Sequence, residues 1–218
     1  VTVQILTREQ WLKERQTGIG GTDAPAIMGV SSYRTNVELW QEKTGQRKPE
    51  TVNNALAKYG NDSESHLIEL FKLDYTQQYA VAARSTDYAL WRNHEYPWML
   101  GSLDGELTCK ETGNKGVLEI KTATIMNRAH RDQWDNRIPA AHFWQVLHYL
   151  LVTGYDFVLL KAQLKSIASD GELIKTTKHY RFTRDEVSQQ LERLLEAEIK
   201  FWNHVQNRTQ PPRILPGI

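Results

Sequence analysis

Residues 101–123 read GSLDGELTCKETGNKGVLEIKTA. Apolar and polar residues alternate on each side of the polar stretch TCKETGNKG, which predicts two short strands around a turn. Side chains alternate across a strand. Leu103, Gly105 and Leu107 therefore fall on one face, and Asp104, Glu106 and Thr108 on the other. In the second strand Val117, Glu119 and Lys121 share a face, and Leu118 and Ile120 take the opposite one. Charges amid so many Val, Leu and Ile residues have two explanations. Either they lie on a solvated sheet face as an ordinary Glu–Lys pair, or Asp104 and Glu119 converge on a site.

Two further segments bear on that choice. A helix predicted from Asn53 to about Asp74 places Glu64 in register with Leu67, Ile68 and Phe71, so it points with the apolar stripe. A buried carboxylate costs several kcal/mol unless a cation meets it; a Lys, an Arg or a metal ion would serve. The segment HFWQVLHYLL is apolar nearly all round and reads as a buried helix. Gln145 and Tyr149 stand four apart on one of its faces, with His142 and His148 nearby as a polar seam. Three carboxylates and a lysine suit phosphodiester hydrolysis. Hard carboxylate oxygens bind Mg²⁺, which also takes phosphate oxygens. A lysine beside such an ion can orient the attacking water or stabilise developing negative charge.

The rest of the chain frames this core. Thr7 caps a helix running to about Thr17. Gly18, Gly20 and Gly21 follow, and Thr22 or Asp23 caps a short helix stopped by Gly29. Thr35 or Asn36 caps another, stopped by Gly45. Strands are expected at 78–83, 97–108 and 116–121, and helices at 124–135 and 139–153, with Pro139 at the first helical position. DFVLLKAQL and LIKTTKHYRF read as two more strands. An amphipathic helix spans Thr183 to about Gln206. Helices flanking a central group of strands predict an α/β (α+β) fold with a mixed sheet. The 218 residues fit one domain, 1–218.

Hydrophobic residues make up 40% and charged residues 24%, and no apolar run is long enough to span a bilayer. The opening is too polar for a secretory signal. Cys109 is the single cysteine, which excludes an intrachain disulfide or a zinc–cysteine cluster and fits a reducing cytoplasm. The net charge of +1 leaves a nucleic-acid partner open; charge distribution must decide.

Five blocks, RQTGIGGTDAPAIMGVSSYRTNVELWQEKTG, YGNDSESHLIELF, GSLDG, LEIKT and QVLHYLLVTG, resemble in order the motifs of the lambda-exonuclease-like, or YqaJ-type, viral recombinase nucleases. Those belong to the restriction-endonuclease-like superfamily with its D…E-x-K core. The resemblance covers about residues 15–154. It implies a central mixed sheet flanked by helices, Mg²⁺ as cofactor (with Mn²⁺ as a substitute), and 5′-to-3′ digestion of one strand of linear double-stranded DNA. The 3′ overhang would serve a single-strand-annealing recombinase in a phage- or prophage-bearing bacterial host. A homotrimeric ring around DNA is a further expectation, and no membrane partner is expected.

By the same resemblance Asp104, Glu119 and Glu64 match the metal carboxylates, with Ile120 in the metal set. Lys121 matches the catalytic lysine, and Gln145 the glutamine of a Q-x-x-x-Y motif whose tyrosine is Tyr149. Arg15 and Thr22 match an arginine and a serine that hold phosphate at the DNA end, beside Gly21. Thr22 replaces the usual Ser and keeps the hydroxyl. The turn between Asp104 and Glu119 is longer than in lambda exonuclease.

From the residues alone, Gly20 and Gly21 before a helix start offer amides to an anion, and Arg15 a planar fork. A plain turn, and a salt bridge from Arg15 to Glu14 or Asp23, are the ordinary alternatives. Arg128, Arg131 and Arg137, with Trp134 among them, could line a DNA path, as could Arg47 and Lys48. The competing functions are an endonuclease of the same superfamily, a non-catalytic DNA-binding recombination protein, and a metal-free carboxylate-pair glycosidase.

Overall fold

The computed structural model describes residues 1–49, 55–84 and 88–214. Its elements in chain order begin with β1 (Thr2–Ile5), α1 (Arg8–Glu14) and a 3-10 turn at Arg15–Thr17. Next come α2 (Ala24–Ile27), α3 (Asn36–Lys43), α4 (Ala55–Asp74), β2 (Tyr79–Ala83), β3 (Ala89–Arg92), β4 (Leu100–Gly101) and β5 (Gly105–Cys109). The remainder is β6 (Lys115–Thr124), α5 (Arg128–Asp132), α6 (Ala140–Thr153), β7 (Phe157–Ile167), β8 (Leu173–Thr183) and α7 (Ser188–Gln206).

A five-stranded mixed sheet runs in the order β2-β5-β6-β7-β8. β6 and β7 pair in parallel and every other neighbour is antiparallel. A parallel pair needs a long crossover, and α5 and α6 provide it. A second, three-stranded antiparallel sheet runs β1-β3-β4. The fold is thus the mixed α/β arrangement expected, with helices on both faces of the main sheet.

The period-2 pattern of β6 explains those two layers. Leu118 and Ile120 meet Leu67, Ile68 and Phe71 of α4, together with Leu107, Phe157 and Leu159. Val117 faces the other way, into a core with Val146, Leu147 and Leu150 of α6 and Leu191 and Leu194 of α7. Burial of a side chain such as Phe71 stabilises by about 1.5–3 kcal/mol. Capping follows the sequence at Thr7 and Thr35. Each accepts from the backbone of the residue three on, Gln10 or Glu38, whose side chain answers the cap's own N–H. Gly154 ends α6 at φ 71°, a left-handed conformation that glycine takes without a Cβ penalty.

Several boundaries differ from expectation. The single strand expected at 97–108 is two strands in different sheets, with Ser102–Asp104 as the crossing. Leu103 therefore packs in the α6 core and does not share the face of Leu107. β1 and β3 were not anticipated. β6 continues through Thr124, so the helix expected from 124 begins only at Arg128, capped by the Asn127 side chain. Pro139 is the cap residue before α6 rather than its first helical residue. The last helix starts at Ser188, because β8 extends to Thr183. The helix predicted from Asn53 runs unbroken through Gly60; residues 53 and 54 lie outside the described residues. Among the described residues no helix is long and apolar enough to cross a membrane.

Candidate active site

The β5–β6 register places Gly105 opposite Leu118, so Asp104 enters one step further, opposite Glu119. The Asp104 carboxylate accepts the Ile120 N–H at 2.7 Å, which ties the loop before β5 to the second strand. The hairpin tip is closed where Cys109 N–H bonds Asn114 O at 2.8 Å. Glu119 is 1% exposed. Its Oε1 sits 2.6 Å from Lys121 Nζ and accepts from Gln145 Nε2 at 2.9 Å. Its Oε2 is buried and has no hydrogen-bond partner. Gln145 Nε2 also donates to the Tyr149 hydroxyl at 3.1 Å. The ring of that buried tyrosine lies so close to Gly21 that a Cβ there would stand 2.6 Å from it. Glycine is thus required sterically at position 21, and the glycine segment is pressed against the helix that holds Gln145.

The site is electrostatically overloaded with acid. Burial raises the Glu119 carboxyl above its ordinary range, against the pull of Lys121. Burial, then the charges of Glu119 and Glu64, push Asp104 well up, opposed by Lys121 and the Ile120 amide. Glu64, half-buried on α4, rises to about 7 through burial and the Glu119 charge. Burial lowers Lys121, but Glu119, Asp104 and Glu64 outweigh it and hold the ammonium above its usual value. Hence Asp104, Glu119, Lys121, Glu64, Gln145 and Tyr149 share one electrostatic neighbourhood. Burial raises the Tyr149 phenol well above its ordinary value, followed by the charges of Glu119 and Asp104, while Arg15 lowers it. Arg15 therefore belongs to the same neighbourhood.

The donor set is of the kind a hard divalent ion takes. Asp104 and Glu119 offer hard oxygens, and the unpartnered buried Glu119 Oε2 is an acceptor awaiting a positive or protic group. Among the described residues no three His, Cys, Asp or Glu side chains form a ready-made cage. Glu64 is thus near enough to interact but not closed onto the other two. Mg²⁺ is ordinarily held by one or two carboxylates plus waters and substrate oxygens rather than by an all-protein cage, so two strand carboxylates suffice. Ile120 can contribute only main-chain atoms, because its side chain is hydrocarbon and packs against α4.

The glycine segment is built differently from expectation. Asp23 makes no side-chain cap to α2. Its carboxylate turns back to accept Gly20 N–H at 2.9 Å and pairs with Lys43 at 2.8 Å and with Arg34. The Gly20 amide is therefore occupied, and α2 is a single turn, so the anion-binding helix start is not present in that form. Arg15 is free of both acids proposed for it. Glu14 pairs with Arg92 at 2.8 Å, and Asp23 is taken. The Arg15 guanidinium lies over Trp11, 4.3 Å from the ring centroid, with Nη2 3.4 Å from the Thr22 hydroxyl.

Other expected contacts divide. Arg128, Arg131 and Arg137 are exposed, as a DNA path requires. Arg128 stands 3.8 Å from Asp132, and Arg137 donates to the Asp132 carbonyl. Trp134 is 3% exposed and packs against Tyr180 and His142, so it is a core residue and not a DNA contact. Arg47 pairs with Glu38 at 2.7 Å. His148 is the satisfied seam residue expected, bonded to Glu198 at 2.7 Å and to the Leu100 carbonyl at 2.9 Å. His142 belongs with the candidate site and not only with the polar seam. Burial, followed by the Lys121 charge, lowers it to about 3, so it stands neutral beside the candidate lysine. Its spacing of three from Gln145 was the available signal.

Comparisons with known proteins bear on the family and the fold. The model of the YqaJ-like viral recombinase domain matches residues 10–156. Uncharacterized protein YqaJ of Bacillus subtilis (strain 168) is 31% identical over 208 residues, covering 91% of this chain and 56% of the relative. The chain thus spans about half the length of that curated relative. Among solved structures, the alkaline exonuclease LHK-Exo of Laribacter hongkongensis superposes with a TM-score of 0.60 at 16% identity, covering 91% of this chain and 95% of that one. A phage related exonuclease from Haemophilus somnus 129PT gives 0.54 at 11% identity, over 88% and 96%. At such identities the likeness is one of fold. The family match extends over two thirds of the sequence and includes every candidate residue from Arg15 to Tyr149; the chain belongs to the YqaJ-like viral recombinase domain family.

Proposed function

We propose that this chain is a divalent-metal-dependent exonuclease domain acting on linear double-stranded DNA, degrading one strand 5′-to-3′ and leaving a 3′ overhang. The observation that carries the reading is the excess of acid: buried Glu119 with half-buried Asp104 and Glu64 around one Lys121, and Glu119 Oε2 unpartnered. The family and the exonuclease fold support it.

Asp104 and Glu119 would hold Mg²⁺ or Mn²⁺, with Glu64 and the Ile120 main chain at its periphery. When bound, the ion supplies Lewis-acid charge at the phosphodiester. Lys121 orients the attacking water and stabilises negative charge as it develops. Gln145 fixes the Glu119 carboxylate through Oε1 and leaves Oε2 directed to the site. Neutral His142 adds no competing positive charge beside Lys121. Arg15 and the Thr22 hydroxyl receive the 5′-phosphate, and exposed Arg128, Arg131 and Arg137 attract the duplex. Assembly as a trimeric ring in the bacterial cytoplasm, alongside a single-strand-annealing recombinase, completes the proposal.

Linear and closed circular duplex, each with Mg²⁺ or EDTA, form the test. Digestion of the linear form alone, and only with metal, is expected. Cutting of the circle would make the chain an endonuclease, and metal-independent cutting would end the metal reading. A stable monomer by light scattering, with DNA and metal present, would remove the ring.

A further inference from the structure

Two cation-lined cavities lie between α4 and the C-terminal half of the β6–β7–β8 sheet. Gly60 of α4 lies against β6, where a Cβ on it would stand 3.4 Å from the Thr122 hydroxyl. Just beyond, Tyr59, Thr124, Lys165, Ser166, Ile167, Leu173 and Lys175 line a cavity of about 260 Å³. Tyr59 also lines a neighbouring cavity of about 330 Å³ with Ser63, His66 and Gln163, where Asp62 is the one lining carboxylate.

Lys165 and Lys175 are direct cross-strand partners on β7 and β8. Like charges directly opposite one another are destabilising, and among the described residues neither lysine has a carboxylate within 4 Å. The Lys165 ammonium instead sits 3.2 Å from the Tyr59 ring centroid, and the Tyr59 hydroxyl donates to Gln163 Oε1 at 2.9 Å. An aromatic ring is thereby held in place beside two uncompensated cations.

The position matters as much as the composition. Lys121 is level with Ala162 of β7, and Lys165 lies three residues on, roughly 10 Å along the strand. Tyr59 precedes Glu64 by five residues, about 7.5 Å of helix. Both displacements run the same way from the acidic centre. Thr124, the partner of Lys165, stands on the α4 face with Ile120, opposite the face of Glu119 and Lys121, so a strand reaching these cavities from the acidic centre would run along α4, past Glu64 and Gly60. Bases within a duplex are stacked on one another and cannot also stack on a tyrosine, whereas those of a single strand can.

We propose that Lys165, Lys175 and Tyr59 form a subsite for single-stranded DNA, the lysines on phosphate and the tyrosine ring against a base. The proposal rests on the nuclease reading for its place beside the scissile bond, but its test does not depend on cleavage. Binding of a fluorescently labelled oligothymidylate is measured by anisotropy in EDTA across a salt series. Wild type is compared with Tyr59→Leu, Tyr59→Phe and the double variant Lys165→Ala with Lys175→Ala, each checked for a cooperative melt. Two phosphate contacts contribute about 1.4 to the slope of log K against log salt, so the double variant should lose about that much of it. Tyr59→Leu should weaken binding about tenfold and Tyr59→Phe should stay near wild type, because a π face suffices.

Wild-type affinity and slope in the double variant would overturn the proposal, as would failure of wild type to bind the oligonucleotide. Loss with the lysines but none with Tyr59→Leu would make this a bare anion site, and the nucleotide assignment would be wrong. Weak binding by these variants in a protein that cuts no DNA would leave the subsite standing and sink the nuclease reading instead.

Discussion

Asp23 and Glu119 are both buried carboxylates, 5% and 1% exposed, yet burial leaves them in opposite states. Desolvation acts against the charge of each. At Asp23 it is outweighed by Lys43, then Arg34, then the Gly20 amide, and the carboxyl is held well below its usual range. Glu42, which takes the other side of Arg34 at 2.5 Å, makes the cluster two acids against two cations. At Glu119 the desolvation wins, and the cluster is three acids, with Asp104 and Glu64, against Lys121 alone. The first network is complete within the chain and supports the glycine segment from beneath. The second holds more acid than the cation beside it balances, so it takes up protons or draws a cation from outside the chain, which is the physical content of the metal proposal.

Removing a carboxylate should therefore do opposite things in the two places. Glu119→Gln or Asp104→Asn should reduce digestion of linear duplex by about 10³-fold or more, since an ion at the reacting phosphate is worth several kcal/mol. The same substitutions should leave the metal-free melting temperature unchanged or raised, because they relieve repulsion. Wild-type-like digestion by Glu119→Gln would sink the site assignment.

Asp23→Ala should behave in reverse, costing about 3–5 kcal/mol toward unfolding because Lys43 and Arg34 lose a buried counter-charge. The low end is expected, since Arg34 keeps Glu42. Urea midpoints at a constant slope measure it. A loss no larger than that of Glu119→Gln would erase the distinction between the two clusters.

The pH dependence separates them again. Asp23 is lowered, so its contribution is present above its unfolded value near 4 and is lost as pH falls below it. Glu64 is raised from 4.5 to about 7. The folded state binds the extra proton between those values, so metal-free stability should fall as pH rises from about 4.5 to 7. Allowing for solvent screening of a half-exposed group, the drop is of order 1 kcal/mol. Mg²⁺ should stabilise more at pH 8 than at pH 6, because its ligands must be deprotonated. A flat metal-free profile that Mg²⁺ does not alter would mean Glu64 is ordinary.

Much of the acidic cluster was legible in the sequence because its cause is local. Alternation along 103–108 and 117–121 decides which side chains share a face, and helical spacing aligns Glu64 with Leu67 and Gln145 with Tyr149. The balanced cluster was not legible, because Arg34 and Lys43 reach Asp23 from 11 and 20 residues away through packing. Alternation also says nothing about which sheet a strand joins, so the change of sheet at Ser102–Asp104 was invisible and β4 merged with β5. Trp134 sits among arginines in the chain, yet Tyr180 and His142 enclose it from distant elements. The aromatic and cations of the Tyr59 cavities are spread over α4, β7 and β8, with no short motif to mark them.

The smallest effect tests the seam between the two clusters, where Arg15 stands. Its guanidinium is held over Trp11 and near the Thr22 hydroxyl, and among the described residues no carboxylate lies within 4 Å of it. A cation this placed but unspent can take a phosphate. A terminal 5′-phosphate carries more charge and more free oxygens than an internal diester, so it gains more from a guanidinium fork. One charge-assisted hydrogen bond is worth about 1.5–3 kcal/mol. The hydroxyl remains when Arg15 is removed, and Gly20 N–H is already spent on Asp23. The effect therefore falls at the low end, about tenfold. Linear duplex bearing 5′-phosphate should be digested about tenfold faster than the 5′-hydroxyl form, and Arg15→Ala should erase most of that difference. Lys13→Ala, an exposed neighbour on α1, controls for loss of charge alone. If wild type does not discriminate, or Arg15→Ala discriminates in full, Arg15 is a surface arginine stacked on Trp11 and the two clusters are not joined through the DNA end.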